Sequence, residues 1–100
     1  MPMRENVEDL VADIPPGRVM TYGDIAACVG HSGAARMVGL IAHQGSPGLP
    51  WQRVVNHNGG LAPSYPGQAD ALAAEGVTCR NGKVVDFRHR RWLPDFGDEP

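Results

Sequence analysis

Two thiols, Cys28 and Cys79, and four imidazoles, His31, His43, His57 and His89, are the side chains of this 100-residue chain best suited to nucleophilic or metal chemistry. The cysteines form no CxxC pair and the histidines no HxxxH spacing, so neither a zinc site nor a disulfide framework is predicted. Cys28 falls on the apolar side of a short helical stretch and Cys79 in a β-prone run, both ordinary places for structural thiols. A Cys–His nucleophile pair stays compatible with the sequence. General acid–base work has little to draw on, because most carboxylates lie at the ends: Glu5, Glu8, Asp9 and Asp13 at the start, Asp95, Asp98 and Glu99 in the tail.

Recognition offers more than catalysis. Arg36 stands near the start of "AARMVGLIAHQ", where a recognition helix would present side chains to a nucleic-acid groove; a solvated surface arginine is the plain alternative. Trp51, in "GLPWQRVVNHNGG", sits between Pro50 and the polar pair Gln52–Arg53, outside any apolar period, so it either packs or faces a ligand. The formal net charge is −2, yet between Ile14 and Pro94 eight Arg/Lys residues oppose four acids (Asp24, Asp70, Glu75, Asp86), a local balance of +4. Such a middle segment permits nucleic-acid binding without requiring it.

The elements that must position these residues can be read in order. An apolar content of 42% and a charged content of 20% describe an ordinary globular chain of one domain, expected over residues 1–94, with an acidic, fraying tail at 95–100. No apolar run approaches the roughly 18–20 residues of a membrane span, and "MPMRENVEDL" has no signal-peptide core, so a cytoplasmic protein is expected, nucleoid-associated if bacterial. Val7, Leu10, Val11 and Ile14 recur at helical spacing until Pro15–Pro16–Gly17. "VMTYGDIAACVG" offers Thr21 and Asp24 as a capping box and Gly30 as the stop of a second helix. A third helix is predicted in "AARMVGLIAHQ", capped by Ser32 and ended by Gly45 and Pro47. Its inner face would carry Ala35, Val38, Ile41 and Ala42, and its outer face Arg36, Gly39, Leu40 and His43. Gly39 serves either a close approach by another backbone or tight helix–helix packing, since a mid-helix glycine costs about 1 kcal/mol relative to alanine. A helix at Gln68–Glu75 with Leu72 inward and Gly76 as its stop follows, then a type I′ hairpin at Asn81–Gly82. The fold class is therefore mainly α with a small β-hairpin, a single winged-helix-like domain containing a helix-turn-helix.

Read together, "IPPGRVMTYGDIAACVG", "AARMVG", "LPWQRVVN" and "EGV" resemble, in order, the core of the DNA repair alkyltransferases that act on guanine alkylated at O6. The resemblance covers about Ile14 to Trp92. That family carries Pro-Cys-His-Arg-Val, whose cysteine takes the alkyl group; here the string is Pro50-Trp51-Gln52-Arg53-Val54. Tryptophan at the cysteine position marks the alkyltransferase-like branch, which lacks the enzymes' N-terminal domain and binds alkylated DNA without repairing it. The resemblance implies a non-enzymatic sensor, with no cofactor or metal, that flips O6-alkylguanine out of duplex DNA through the minor groove and marks it for nucleotide excision repair proteins, acting as a monomer. It gives Arg36 the role of the finger that fills the vacated stack and Tyr22 that of crowding the 3′ phosphate; the small residues Ala35 and Gly39 would then permit close approach in the minor groove. It assigns Pro50, Trp51, Gln52, Arg53 and Val54 to the lesion pocket and the loop from Gly60 to Gly67, with Tyr65, to a lid. Gln52 departs from the family's histidine, which has no thiol to activate here. The alternatives are an active transferase using Cys28 or Cys79, a sequence-specific winged-helix transcription regulator, and an interaction domain with no DNA role.

Overall fold

In the structure, a computed structural model that describes residues 3–94, Val7, Leu10 and Val11 form the buried inner face of α1 (Met3–Asp13). The acidic tail expected at 95–100 lies outside the described residues. Ile14 is buried just past the helix, and the prolines that follow cannot continue the helical hydrogen bonding. β1 (Met20–Thr21) runs directly into α2 (Tyr22–Cys28). The capping box is present: the Asp24 N–H donates to the Thr21 hydroxyl at 2.9 Å, and the Thr21 N–H donates to the Asp24 carboxylate at 3.2 Å. α2 closes in a Schellman turn, with Gly30 at φ +86° donating to the Ala27 carbonyl and His31 to that of Ala26.

α3 (Ala35–Gln44) packs against α1 and α2 through Val38 and Ile41, completing the helix-turn-helix. Its start differs from expectation. The N-cap is Ala34, without a side-chain hydrogen bond, and the Ala34 N–H donates to the His31 carbonyl at 2.9 Å. That turn takes up the chain between the helices and leaves Ser32 exposed and outside the cap.

Beyond α3, a 3-10 turn at Trp51–Arg53 leads into β2 (Val54–Val55), which pairs in parallel with β1 in the register Met20↔Val54 and Thr21↔Val55. Strand alternation divides the core at this pair. Met20 and Val54 join the cluster beneath α1–α3; Val19 and Val55 join a second one with Leu72, Val77 and Val84. α4 (Gln68–Ala73) contributes Leu72, and Gly76 at φ +85° ends its last turn. The hairpin of β3 (Cys79–Arg80) and β4 (Lys83–Val84) turns through Asn81 and Gly82, both at positive φ as a type I′ turn requires. α5 (Phe87–Arg90) follows, and the chain returns beside β1: Val19 donates to the Arg90 carbonyl and Trp92 to that of Val19. Half-buried Trp92 packs on the first cluster as a C-terminal anchor. The fold class is as the sequence predicts, five helices and small sheets among the described residues, with the parallel pair as the addition. No helix among the described residues is long and apolar enough to cross a membrane.

Candidate functional site

Trp51 does both things its sequence context left open. One side of its indole packs into the first core cluster, leaving 9% of the residue exposed, and the other side forms a wall of a cavity of about 260 Å³. That volume lies just below the roughly 300–1,000 Å³ of pockets for drug-sized ligands, a size suited to one flat heterocycle. Tyr22 at the start of α2, Val54 and Tyr65 share the lining, and the segment Gly45–Leu49 forms its opposite rim. The indole N–H donates to the Ser46 carbonyl at 2.9 Å, so the ring is fixed by a hydrogen bond as well as by packing. Gly45 makes this possible: at φ +30°, a Cβ there would lie 3.3 Å from the indole and 3.0 Å from the Ala42 carbonyl. Burial pushes the Tyr22 phenol up, which keeps a neutral O–H donor at the cavity edge.

The five consecutive residues assigned to one pocket divide in the structure. Trp51 and Val54 line the cavity; Pro50, Gln52 and Arg53 do not. A 3-10 turn has three residues per turn, so successive side chains leave it about 120° apart. Gln52 and Arg53 leave the cavity and both reach Glu75, in the turn just past α4: Gln52 Nε2 at 2.7 Å and Arg53 Nε and Nη2 at 2.8–3.0 Å. Arg53 Nη1 also donates to the Ile14 carbonyl, and the Gly17 N–H to Glu75. Burial opposes the charge on Glu75, but these hydrogen bonds and the Arg53 guanidinium outweigh it and hold the carboxyl below its usual range. Gln52 and Arg53 thus brace the turn that presents Trp51.

Gln68, which the sequence did not single out, is 1% exposed and fully engaged. Its Nε2 donates to the Gln52 and Val54 carbonyls at 3.0 and 2.9 Å, and its Oε1 accepts from the Ala62 N–H at 2.7 Å. It fastens the predicted lid loop, whose Ala62, Ser64, Tyr65 and Pro66 reach the cavity, to the segment carrying Trp51. Its position at the first residue of α4 is visible in the sequence, but nothing there signals burial.

The outer face of α3 has the composition the sequence predicts, with Arg36, Leu40 and His43 exposed and Gly39 half-buried. Met37 joins it: Met37 and Leu40 are each 49% exposed. The three ion pairs among the described residues are Arg4–Glu8, Arg53–Glu75 and Arg91–Asp24, so Arg36 belongs to none of them. Nothing lies within 4 Å of where a Gly39 Cβ would be, which removes tight internal packing as the reason for that glycine.

The basic segment Arg88–Trp92 is largely structural. Arg90 donates to the Gly17 and Gly76 carbonyls, and Arg91 pairs with Asp24, whose carboxyl burial would raise but whose bonds to Arg91 and Thr21 hold below its usual range. Cys28 and Cys79 are half-buried, and burial pushes both thiols up, with Asp24 adding to the effect at Cys28. Neither is favoured as a thiolate nucleophile.

Comparison with known proteins gives a consistent picture. The family profile described as the DNA-binding domain of 6-O-methylguanine DNA methyltransferase matches residues 2–77. A DNA base-flipping protein of Escherichia coli K12 is 41% identical over 93 residues, covering 88% of this chain and 72% of that protein. Alkyltransferase-like protein 1 of Schizosaccharomyces pombe is 40% identical, covering 94% of this chain and 92% of its own. The crystal structure of the S. pombe protein in complex with damaged DNA containing O6-carboxymethylguanine superposes with a TM-score of 0.82 at 33% identity, over 92% of this chain and 95% of that one. The crystal structure of Mycobacterium tuberculosis OGT in complex with DNA superposes with a TM-score of 0.68 at 30% identity, over 76% of this chain and 49% of that one.

Proposed function

The chain belongs to the family of the 6-O-methylguanine DNA methyltransferase DNA-binding domain, on its alkyltransferase-like, base-flipping branch, and from that premise we propose that it recognises O6-alkylguanine in duplex DNA without repairing it. The observation that carries the reading is Trp51, a hydrogen-bonded aromatic wall of a cavity of about 260 Å³; the sequence resemblance puts the enzymes' acceptor cysteine at this position. A base inside a duplex cannot be inspected at O6 without leaving the stack, and extrusion costs a few kcal/mol, less for a damaged pair. The exposed Arg36 at the start of α3 occupies the vacated stack and offsets part of that cost. Gly39 admits the DNA backbone to the helix, and insertion from the minor groove bends the duplex. Tyr22, at the cavity edge, crowds the phosphate of the rotating nucleotide.

The flipped base rests against Trp51 and Val54 under the lid at Ala62–Pro66, with Tyr65 closing the far side. Pro50, Gln52 and Arg53 serve this pocket by bracing the turn. No alkyl transfer is assigned, because Trp51 has no nucleophile and the two thiols lie outside the cavity lining. A monomer holding a bent duplex with an extruded guanine is a suitable mark for nucleotide excision repair proteins. The test is a binding titration of O6-methylguanine duplex against its unmodified twin, with labelled alkyl groups followed in parallel. Tighter binding of the modified duplex with no label on protein is expected. Equal affinity, stoichiometric labelling, or preference for a particular undamaged sequence would each overturn the reading.

A further inference from the structure

The rim segment between α3 and the 3-10 turn, Gly45-Ser46-Pro47-Gly48-Leu49-Pro50, has little to hold it in place. Two prolines supply no N–H, Gly45 and Gly48 lie at positive φ, and no regular element runs through it. Yet Gly45 to Leu49 all line the cavity. Ser46 is tethered on both sides. Its hydroxyl donates to the Glu8 carboxylate on α1, and its carbonyl accepts from the Trp51 indole at 2.9 Å. Arg4, one turn before Glu8, pairs with Glu8 at 3.7 Å and donates to the Gln44 side chain at the end of α3. α1, which contributes no residue to the cavity lining, thus reaches the cavity through one serine.

The geometry points to Glu8 and Ser46 as positioning residues of the recognition site: they fix the rim and the plane of the Trp51 indole, and so set how well the pocket separates alkylated from normal guanine. This rests on the proposed lesion-binding role of the cavity. The chain of contacts is Glu8 carboxylate, Ser46 hydroxyl, Ser46 carbonyl, Trp51 N–H. A hydrogen bond to an ionised acceptor is stronger than one between neutral groups, which suits Glu8 to anchor a segment otherwise short of constraints. Loss of the anchor frees the rim and lets the indole tilt, while Arg36 and the outer face of α3 keep their contacts with DNA.

The test uses the full chain in a Trp92→Phe background, so that Trp51 is the single indole. Ser46→Ala and Glu8→Ala are compared with Ser46→Thr and Glu8→Gln, which keep a hydroxyl and an acceptor oxygen. The indole N–H resonance and its exchange with solvent are followed by NMR. Affinities are measured for O6-methylguanine duplex and its unmodified twin. Both alanine variants are expected to speed indole exchange and lower the preference for modified DNA about three- to tenfold, with a much smaller loss of affinity for unmodified DNA. The threonine and glutamine variants should retain most of both. Alanine variants with the parent's indole exchange and preference would overturn the assignment, as would equal losses on both duplexes. Should the parent itself show no preference, the lesion-binding reading falls, and the indole exchange still decides whether Glu8 and Ser46 hold Trp51.

Discussion

A glycine in the middle of an exposed helix face gives the sharpest residue-scale prediction, because folding and binding should respond to it with opposite signs. Gly39 has ordinary helical backbone and open space at its Cβ. Gly39→Ala should stabilise the free protein by up to about 1 kcal/mol, raising Tm by about 4–8 °C for a domain of this size. The same methyl stands where the DNA backbone is proposed to approach, so affinity for duplex should fall; calorimetry and a binding titration of one variant check both. A gain in Tm with unchanged affinity would remove Gly39 from the interface. If Arg36 fills the vacated stack as proposed, Arg36→Ala should weaken binding of O6-methylguanine duplex by roughly 10- to 100-fold, since the cost of extruding the base is then no longer offset. It should leave Tm nearly unchanged, because Arg36 is exposed and in none of the ion pairs described. Trp51→Ala differs in kind: it opens the core as well as the pocket, so it should cost about 3–5 kcal/mol of stability together with discrimination.

Between elements, Glu75, in the turn just past α4, joins that turn to the one at Gly17 and to the 3-10 turn that carries Trp51. Removing its charge with Glu75→Gln leaves the half-buried Arg53 guanidinium without its anion and should cost about 1–3 kcal/mol in urea unfolding. The pH dependence follows from its depressed folded carboxyl. The unfolded chain takes up the proton first, near the ordinary 4.5 for Glu75 and 3.8 for Asp24. Stability from these pairs is therefore complete above that range and is lost as pH falls through the lower folded values. Urea midpoints at several acidic pH values should fall more steeply for the parent than for Glu75→Gln. What the sequence revealed at this scale was local: the Thr21–Asp24 capping box, the Asn81–Gly82 turn and the two faces of α3 each lie within a few residues of chain. The β1–β2 pair was hidden because two-residue strands carry no period and their partners are far apart. The engagement of Gln52, Arg53 and Gln68 was hidden for a related reason, since a 3-10 turn scatters neighbours and no pattern announces which polar side chain will be buried.

At the scale of the molecule, charge decides how the protein meets DNA, and the count of arginines overstates it. Of the eight cations between Ile14 and Pro94, Arg18, Arg53, Arg90 and Arg91 donate to carbonyls or carboxylates within the fold. Arg36, Arg80, Lys83 and Arg88 are the exposed remainder. Phosphate neutralisation releases counterions, and log K falls against log salt with a slope near −0.9 per phosphate neutralised. These four cations, even with Arg36 counted, would give a slope of at most about −3.6. In the proposed reading, stack filling by Arg36 and the aromatic cavity, which depend weakly on salt, then supply the lesion preference. Titrations across a range of salt should give a slope no steeper than that limit on both duplexes, with the affinity ratio between modified and unmodified DNA nearly constant. A steeper slope would mean that a partnered arginine, Arg4, Arg90 or Arg91, leaves its internal partner on binding; if that residue is Arg91, Arg91→Gln would flatten the slope by about one unit. With the limit obeyed, Arg91→Gln should lower stability through Asp24 and leave the salt slope unchanged.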